Sequence, residues 1–225
     1  MRRTEGASAT GRFLTLEGPD GSGKTSHAIR LTQALRDRGH DALLTREPGG
    51  TPLGERLREI LNSPSGPPIE PLAEALLFSS ARAEHVAEVI RPALDAGRIV
   101  ICARYADSTL AYQGYGSGRP VEQLRELQHI ATGGLWPDRT ILLDIPADVG
   151  LGRKGPEEHT RFEVGFDLDY HQRVRAGFLE LAAAEPERWV VVNANRDPDE
   201  VFEDVLATAL AAVDEPETSP VRMQG

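Results

Sequence analysis

An apolar run, Phe13-Leu-Thr-Leu-Glu17, leads directly into Gly18-Pro-Asp-Gly-Ser-Gly-Lys24-Thr25. Helical spacing (Ala28, Leu31, Leu35) begins at once afterwards. The eight residues fit G-x-x-x-x-G-K-[ST], and a strand before and a helix after are the setting that this pattern requires. Glycines let successive backbone N–H groups turn inward around phosphate oxygens. The helix that starts there adds its positive end. Lys24 then reaches the outer phosphates, and Thr25 is placed to ligate Mg²⁺. Gly18, Pro19, Asp20, Gly21, Ser22, Gly23, Lys24 and Thr25 are therefore read together as a nucleotide-binding loop.

Four further apolar runs follow: Ala42-Leu-Leu-Thr45, Ile99-Val-Ile-Cys102, Thr140-Ile-Leu-Leu-Asp144 and Trp189-Val-Val-Val-Asn193. Most are nearly continuous in apolar character, as strands buried on both faces should be. Helical spacing lies between them. Leu53, Leu57, Ile60 and Leu61 share one face, as do Leu124, Leu127 and Ala131. Gly39 and Gly133-Gly134 are helix stops, and Pro92 should end or kink the helix carrying Val86, Val89 and Ile90. Strands alternating with helices predict an α/β, P-loop NTPase-type three-layer fold. Its five-stranded parallel sheet is flanked by helices, and ligands bind at the carboxyl ends of the strands. One domain over 12–213 is expected, with flexible tails at 1–11 and 214–225.

Composition narrows the partners. Lys+Arg number 25 and Asp+Glu 35, a formal charge of −10. That balance, with no basic stripe, argues against a nucleic-acid surface but allows a locally basic pocket. No apolar run approaches a membrane span, and the start of the chain lacks the apolar core of a signal peptide. One cysteine excludes an internal disulfide framework, and Cys102 reads as a small buried hydrophobe. The chain reads as soluble and cytoplasmic, with neither nucleic acid nor membrane as partner. The six histidines show no metal-ligand spacing.

A phosphate loop implies a nucleotide, not an activity. A GTPase switch would want N-K-x-D, which is missing. A DNA-linked or motor ATPase would want an apolar strand ending in acid. Ile141-Leu-Leu-Asp144 partly fits, though Asp144 could equally cap the next helix. Phosphoryl transfer to another phosphate makes a different demand. The acceptor oxygen is already largely ionised, so the enzyme needs cations rather than a base. Arginine suits that task because its fork binds phosphate oxygens in pairs. Arg46 and Arg104 follow the second and third strands, and Arg82 follows Phe78 in a helix. Phe78 is either core or a stacking platform. Ala111-Tyr-Gln-Gly-Tyr-Gly-Ser-Gly118 reads as a glycine-rich loop that either turns at the surface or closes over a ligand. Arg153, Lys154 and Arg161 lie in a polar interruption, a lid at about 152–165 that would exclude water from the reaction.

Several stretches resemble the thymidylate (dTMP) kinases. They are Glu17-Gly-Pro-Asp-Gly-Ser-Gly-Lys-Thr25, Arg46-Glu-Pro-Gly-Gly-Thr51, Leu77-Phe-Ser-Ser-Ala-Arg82 and Arg104-Tyr-Ala-Asp-Ser-Thr-Leu-Ala-Tyr-Gln-Gly114. The resemblance implies an ATP- and Mg²⁺-dependent kinase making dTDP from dTMP, usually as a homodimer. It implies that Phe78 stacks on thymine and Arg82 hydrogen-bonds the base, with Ser108, Thr109 and Gln113 beside it. Arg46 and Arg104 would hold the dTMP phosphate, and Tyr112 would sit under the deoxyribose. Asp20 would lie near the transferring phosphate. Some members carry an arginine where this chain has Gly21. Here the lid would supply the cation, making Arg153 and Arg161 catalytic candidates beside Lys24 and Arg104.

Two positions depart from the pattern. The family usually has Asp-Arg at the end of the third strand, and this chain has Ala103-Arg104. Thr160-Arg161 replaces a frequent acidic-Arg pair in the lid. The first departure bears on catalytic rate more than on fold or binding. The alternatives are a kinase for another nucleoside monophosphate, a catalytically weak nucleotide-binding protein and, less in keeping with the charge, a DNA-linked ATPase.

Overall fold

The computed structural model describes residues 11–215 except 156, 158 and 159. The expected tails, apart from Gly11, Asp214 and Glu215, lie outside the described residues. Gly11 is already part of the fold, its N–H donating to Leu94 O at 3.0 Å. At the other end Glu215 accepts from Arg12 and, at 2.7 Å, from Arg139.

Five strands form one parallel sheet: β1 (Arg12–Glu17), β2 (Ala42–Arg46), β3 (Ile99–Ala103), β4 (Arg139–Asp144) and β5 (Trp189–Asn193). Their order is β2-β3-β1-β4-β5. The central strands are buried almost throughout, which is why they read as continuous apolar runs. The edge strands β2 and β5 are only partly buried.

Alternation sends successive side chains to opposite faces. Leu14, Leu16, Ile99, Ile101 and Ala103 pack on one face with α1 (Lys24–Asp37) and α10 (Pro198–Asp214). The other face carries two clusters. One gathers around α9 (Leu168–Ala184), and the other around Phe13, Ile90 and Tyr105.

The remaining helices are α2 (Pro52–Asn62), α3 (Pro71–His85), α4 (Arg91–Asp95), α5 (Ala106–Thr109), α6 (Val121–Thr132), α7 (Ala147–Gly152) and α8 (Arg161–Gly165). Pro92 does not end its helix. The backbone widens into a π-helical turn over Val86–Ile90 and continues as α4. That shift in hydrogen-bond register accommodates a residue with no N–H to give.

The glycine-rich stretch expected as a loop is also helical, a π-helical segment over Leu110–Gly116, mostly buried. Small residues serve close packing there. A Cβ on Gly116 would fall 2.7 Å from the Tyr170 ring and 2.8 Å from Val174 on α9. The apolar face of α2 is not core either. Leu61 is buried, but Leu53 and Ile60 are exposed, because α2 lies against α3 rather than on the sheet. Asp144 caps no helix: Arg175 of α9 holds its carboxylate through two bonds, at 2.7 and 2.9 Å.

Candidate active site

The carboxyl ends of β1 and β3 open into a cavity of about 510 Å³, within the range of small-molecule sites. At its floor the phosphate loop joins β1 to α1. Gly23, left-handed at φ 87°, delivers the chain into the helix. Gly21 has no room for a side chain, since a Cβ would lie 1.9 Å from Gly150 O of α7. Lys24 is buried and donates to Gly18 O (2.9 Å), Pro19 O (2.7 Å) and Ser22 Oγ (3.2 Å). Burial, and then the charge of Arg104, push its ammonium well below the usual lysine range, against the pull of Asp20 and Glu17.

Arg104 leaves β3 in the left-handed region at φ 67°, a conformation unusual for a residue with a Cβ. Its N–H donates to Leu16 O at 3.0 Å, tying the turn to β1. Its guanidinium meets Asp20 Oδ1 at 2.6 Å, Tyr112 Oη at 3.0 Å and Ser108 Oγ at 3.3 Å. Tyr112 Oη in turn donates to Asp20 Oδ2 at 2.9 Å. Burial opposes ionisation of Asp20, but Arg104, Lys24 and Lys154 outweigh it and hold the carboxyl below the usual range. Beneath them Glu17 is fully buried, accepting from Tyr105 N and Ser108 Oγ, each at 2.6 Å. Burial and the charge of Asp107 raise its pKa to about 7.

The same cavity is lined by Phe78, Arg82, Thr109 and Gln113. Arg82, only 2% exposed, donates Nε–H to Glu47 Oε2 (2.7 Å) and Nη2–H to Tyr105 O (2.9 Å). Its Nη1 serves Thr109 Oγ1 (3.0 Å) and Gln128 Oε1. Glu47, His85 and Cys102 also come together, a trio of metal-ligand types that spacing had hidden. Their donor atoms are committed elsewhere. Glu47 takes Arg82 and His85 Nδ1, His85 Nε2 meets Thr45 Oγ1 at 2.6 Å, and the Cys102 thiol donates to Arg104 O. Glu47, steadied by His85, braces Arg82, while Cys102 serves the Arg104 carbonyl.

The thymidylate kinase family model matches residues 16–205. The chain belongs to the thymidylate kinase family. A thymidylate kinase of Thermomicrobium roseum is 50% identical over 209 residues, covering 92% of this chain and 99% of that protein. One from Deinococcus radiodurans is also 50% identical, over 88% of this chain and 95% of its own length. A crystal structure of thymidylate kinase from Ehrlichia chaffeensis superposes with a TM-score of 0.73 at 33% identity, covering 89% of this chain and 99% of that one.

Within this thymidylate kinase fold, most residues singled out by sequence line this cavity. Asp20, Gly21, Gly23, Lys24 and Thr25 lie on the loop side; Arg104, Ser108, Thr109, Tyr112 and Gln113 on the β3 side; and Phe78, Arg82 and Arg153 around them. Gly18, Pro19 and Ser22 lie behind, as acceptors for Lys24. Two arginines differ. Arg46 is exposed and held by Glu55 at 3.0 Å, outside the lining. Arg161 also lies outside the lining. It is buried, giving Nε–H to Leu61 O at 3.1 Å and pairing with Glu74, because a buried carboxylate draws the nearest guanidinium. The lid cations in the cavity are Arg153, which donates to Ala194 O at 3.2 Å, and Lys154, whose Nζ is 3.8 Å from Asp20.

Sequence reading missed Arg58, Glu47 and Phe162 in the lining. Arg58 gives no linear signal, standing inside α2. Burial, and then the charges of Arg46 and Arg104, lower its pKa against the pull of Glu55.

Proposed function

We infer that the chain transfers the γ-phosphoryl group of ATP to dTMP, giving ADP and dTDP. One observation carries the reading. A phosphate loop with its lysine, and a β3-end arginine bonded to that loop, line the same cavity as Phe78, Arg82 and Gln113.

The donor phosphates enter the loop, and its N–H groups together with Lys24 bind them. Lys24 exchanges the carbonyls of Gly18 and Pro19 for phosphate oxygens. Arg104, with Arg58 in the lining, offsets the repulsion between donor and acceptor, and Arg46 joins them on leaving Glu55. The acceptor phosphate needs no base, since its second ionisation lies near pH 6. Asp20 and Tyr112 aim Arg104. Phe78 stacks on the base, Arg82 and Gln113 bond its edge with Thr109 and Ser108 alongside, and Tyr112 packs under the deoxyribose where a 2′-hydroxyl would crowd it. Arg153 and Lys154 complete the charge from the lid side.

Thr25, exposed at the cavity edge, is an oxygen donor of the kind a hard cation takes, so the residues present fit Mg²⁺. Mg²⁺ there would neutralise charge developing on the phosphates. Asp20 is already committed to Arg104 and Tyr112.

We further propose a cytoplasmic homodimer. Leu53 and Ile60 on α2 and Leu72 and Leu76 on α3 are exposed on adjoining helices, an apolar surface suited to a second copy. No helix among the described residues is long and apolar enough to cross a membrane.

ADP release with ATP and Mg²⁺ tests the reading, with dTMP run beside dUMP, dCMP and AMP. Turnover selective for dTMP is expected. Preference for another nucleotide would make this a different monophosphate kinase. Binding of dTMP and ATP without turnover would make it a weak nucleotide-binding protein.

A further inference from the structure

Glu74 on α3 is a carboxylate only 2% exposed, and both of its oxygens are engaged. Oε2 pairs with Arg161 at the start of α8. Oε1 accepts from Gln113 Nε2 at 2.6 Å. The chemistry of that second bond has one direction. An ionised carboxylate has no hydrogen to give, whereas an amide has a donating and an accepting end. Gln113 must therefore turn its NH₂ toward Glu74, which leaves its carbonyl for the cavity that it lines.

Arg82 lines the same wall. A guanidinium has five N–H groups. Four of them serve Glu47, Thr109, Gln128 and Tyr105 O, which among the described residues leaves one on Nη2. The wall thus offers one donor and one acceptor, in a fixed arrangement.

We propose that Glu74 is a positioning residue for base selectivity: it fixes the Gln113 amide with its carbonyl toward the acceptor base. The wall then matches an edge that presents a ring N–H beside a carbonyl, as thymine and uracil do. Cytosine presents the inverse, an unprotonated ring nitrogen beside an amino group, and meets acceptor with acceptor and donor with donor. Arg161 supports this by supplying the opposite charge that a buried carboxylate needs. The inference rests on the reading that the acceptor base binds at this wall.

The test measures kcat and KM for dTMP and dCMP with the unaltered chain, Glu74→Gln, Glu74→Asp and Gln113→Met. At position 74 an amide can accept or donate, so Gln113 is free to present either end. Glu74→Gln should lower the dTMP-to-dCMP ratio of kcat/KM by roughly tenfold or more, the worth of one correctly paired hydrogen bond. The change should appear in KM for dTMP, with ATP affinity unchanged. Glu74→Asp, which keeps the charge, should retain most of the selectivity. Gln113→Met separates the two levels of the argument. A ratio unchanged in Gln113→Met would overturn the placement of the base itself. A ratio lowered in Gln113→Met but unchanged in Glu74→Gln would overturn the role of Glu74 alone. Should Glu74→Gln not fold, the unaltered chain is tested with N3-methyl-dTMP beside dTMP methylated elsewhere on the base. A carbonyl facing the ring nitrogen predicts a loss specific to the N3-methyl compound. Equal binding of the two overturns the proposal.

Discussion

Arg104 Nη2 lies 2.6 Å from Asp20 Oδ1, and this pair fastens the end of β3 to the phosphate loop. A cation that would hold one phosphate is thereby positioned by the loop that would hold the other. Arg104 is aimed from three sides, by Asp20, Tyr112 and Ser108. Arg104→Ala should lower kcat/KM for dTMP by roughly 10²–10³-fold, the size of effect when one transition-state donor is removed. Initial rates over a dTMP series check it, and an unchanged rate removes Arg104 from the mechanism.

Ala103 occupies the position where the resemblance leads one to expect a carboxylate. Its side chain lies on the sheet face that packs against α1, the helix that begins with Lys24. Lys24 is depressed by burial and by Arg104. A carboxylate on this face would favour its charged form. Ala103→Asp should raise kcat with little change in KM for dTMP, measured as ADP release. Equal kcat in both forms would mean that the carboxylate is dispensable here.

The parts of this site legible in the sequence are those carried by consecutive residues. The loop from Gly18 to Thr25 and the run from Phe13 to Glu17 announce themselves because one local conformation dictates their composition, and Arg104 does so by its place directly after a strand. What stayed hidden depends on partners far along the chain. Arg82 reads as a simple base ligand until Glu47 and Gln128, 35 and 46 residues away, are seen to hold it. Arg161 reads as a phosphate cation until Glu74, 87 residues away, is seen to bind it. The glycines of residues 111–118 suggested a loop because glycine's permissiveness and its smallness leave the same trace in sequence. Here smallness decides, since Tyr170 and Val174 occupy the space.

Gly116 should accordingly be intolerant of a methyl group. Tyr170 is buried and stacked on Phe166 with ring centroids 4.0 Å apart, so it has little freedom to yield. Gly116→Ala should cost about 1–3 kcal/mol by overpacking. For a chain of this size that corresponds to a fall in Tm of roughly 2–4 °C per kcal/mol. Calorimetry checks it, and an unchanged Tm would mean that α9 shifts at no cost.

The exposed leucines and isoleucine of α2 and α3 make the oligomeric state testable. Ile60→Glu should convert a dimer to monomer in sedimentation at micromolar concentration. The concentration dependence of Tm should vanish with it. A monomeric unaltered chain would remove the proposed interface.

Glu17 should give stability a slope with pH. Its pKa is raised from 4.5 to about 7, so between those values the folded chain keeps a proton that the unfolded chain has lost. Stability from this group is fully present below about 4.5 and is lost as pH rises through about 7. Its slope is at most about 1.4 kcal/mol per pH unit, the limit for one proton. Asp20 does not obscure the window, because its carboxyl is held below the ordinary value of 3.8 and is ionised in both states across it. Glu17→Gln cannot titrate and should flatten the profile between pH 5 and 7 in urea unfolding, relative to the unaltered chain. Parallel profiles for the two would show that Glu17 is ionised in the fold throughout, with Ser108 and Arg104 outweighing its burial.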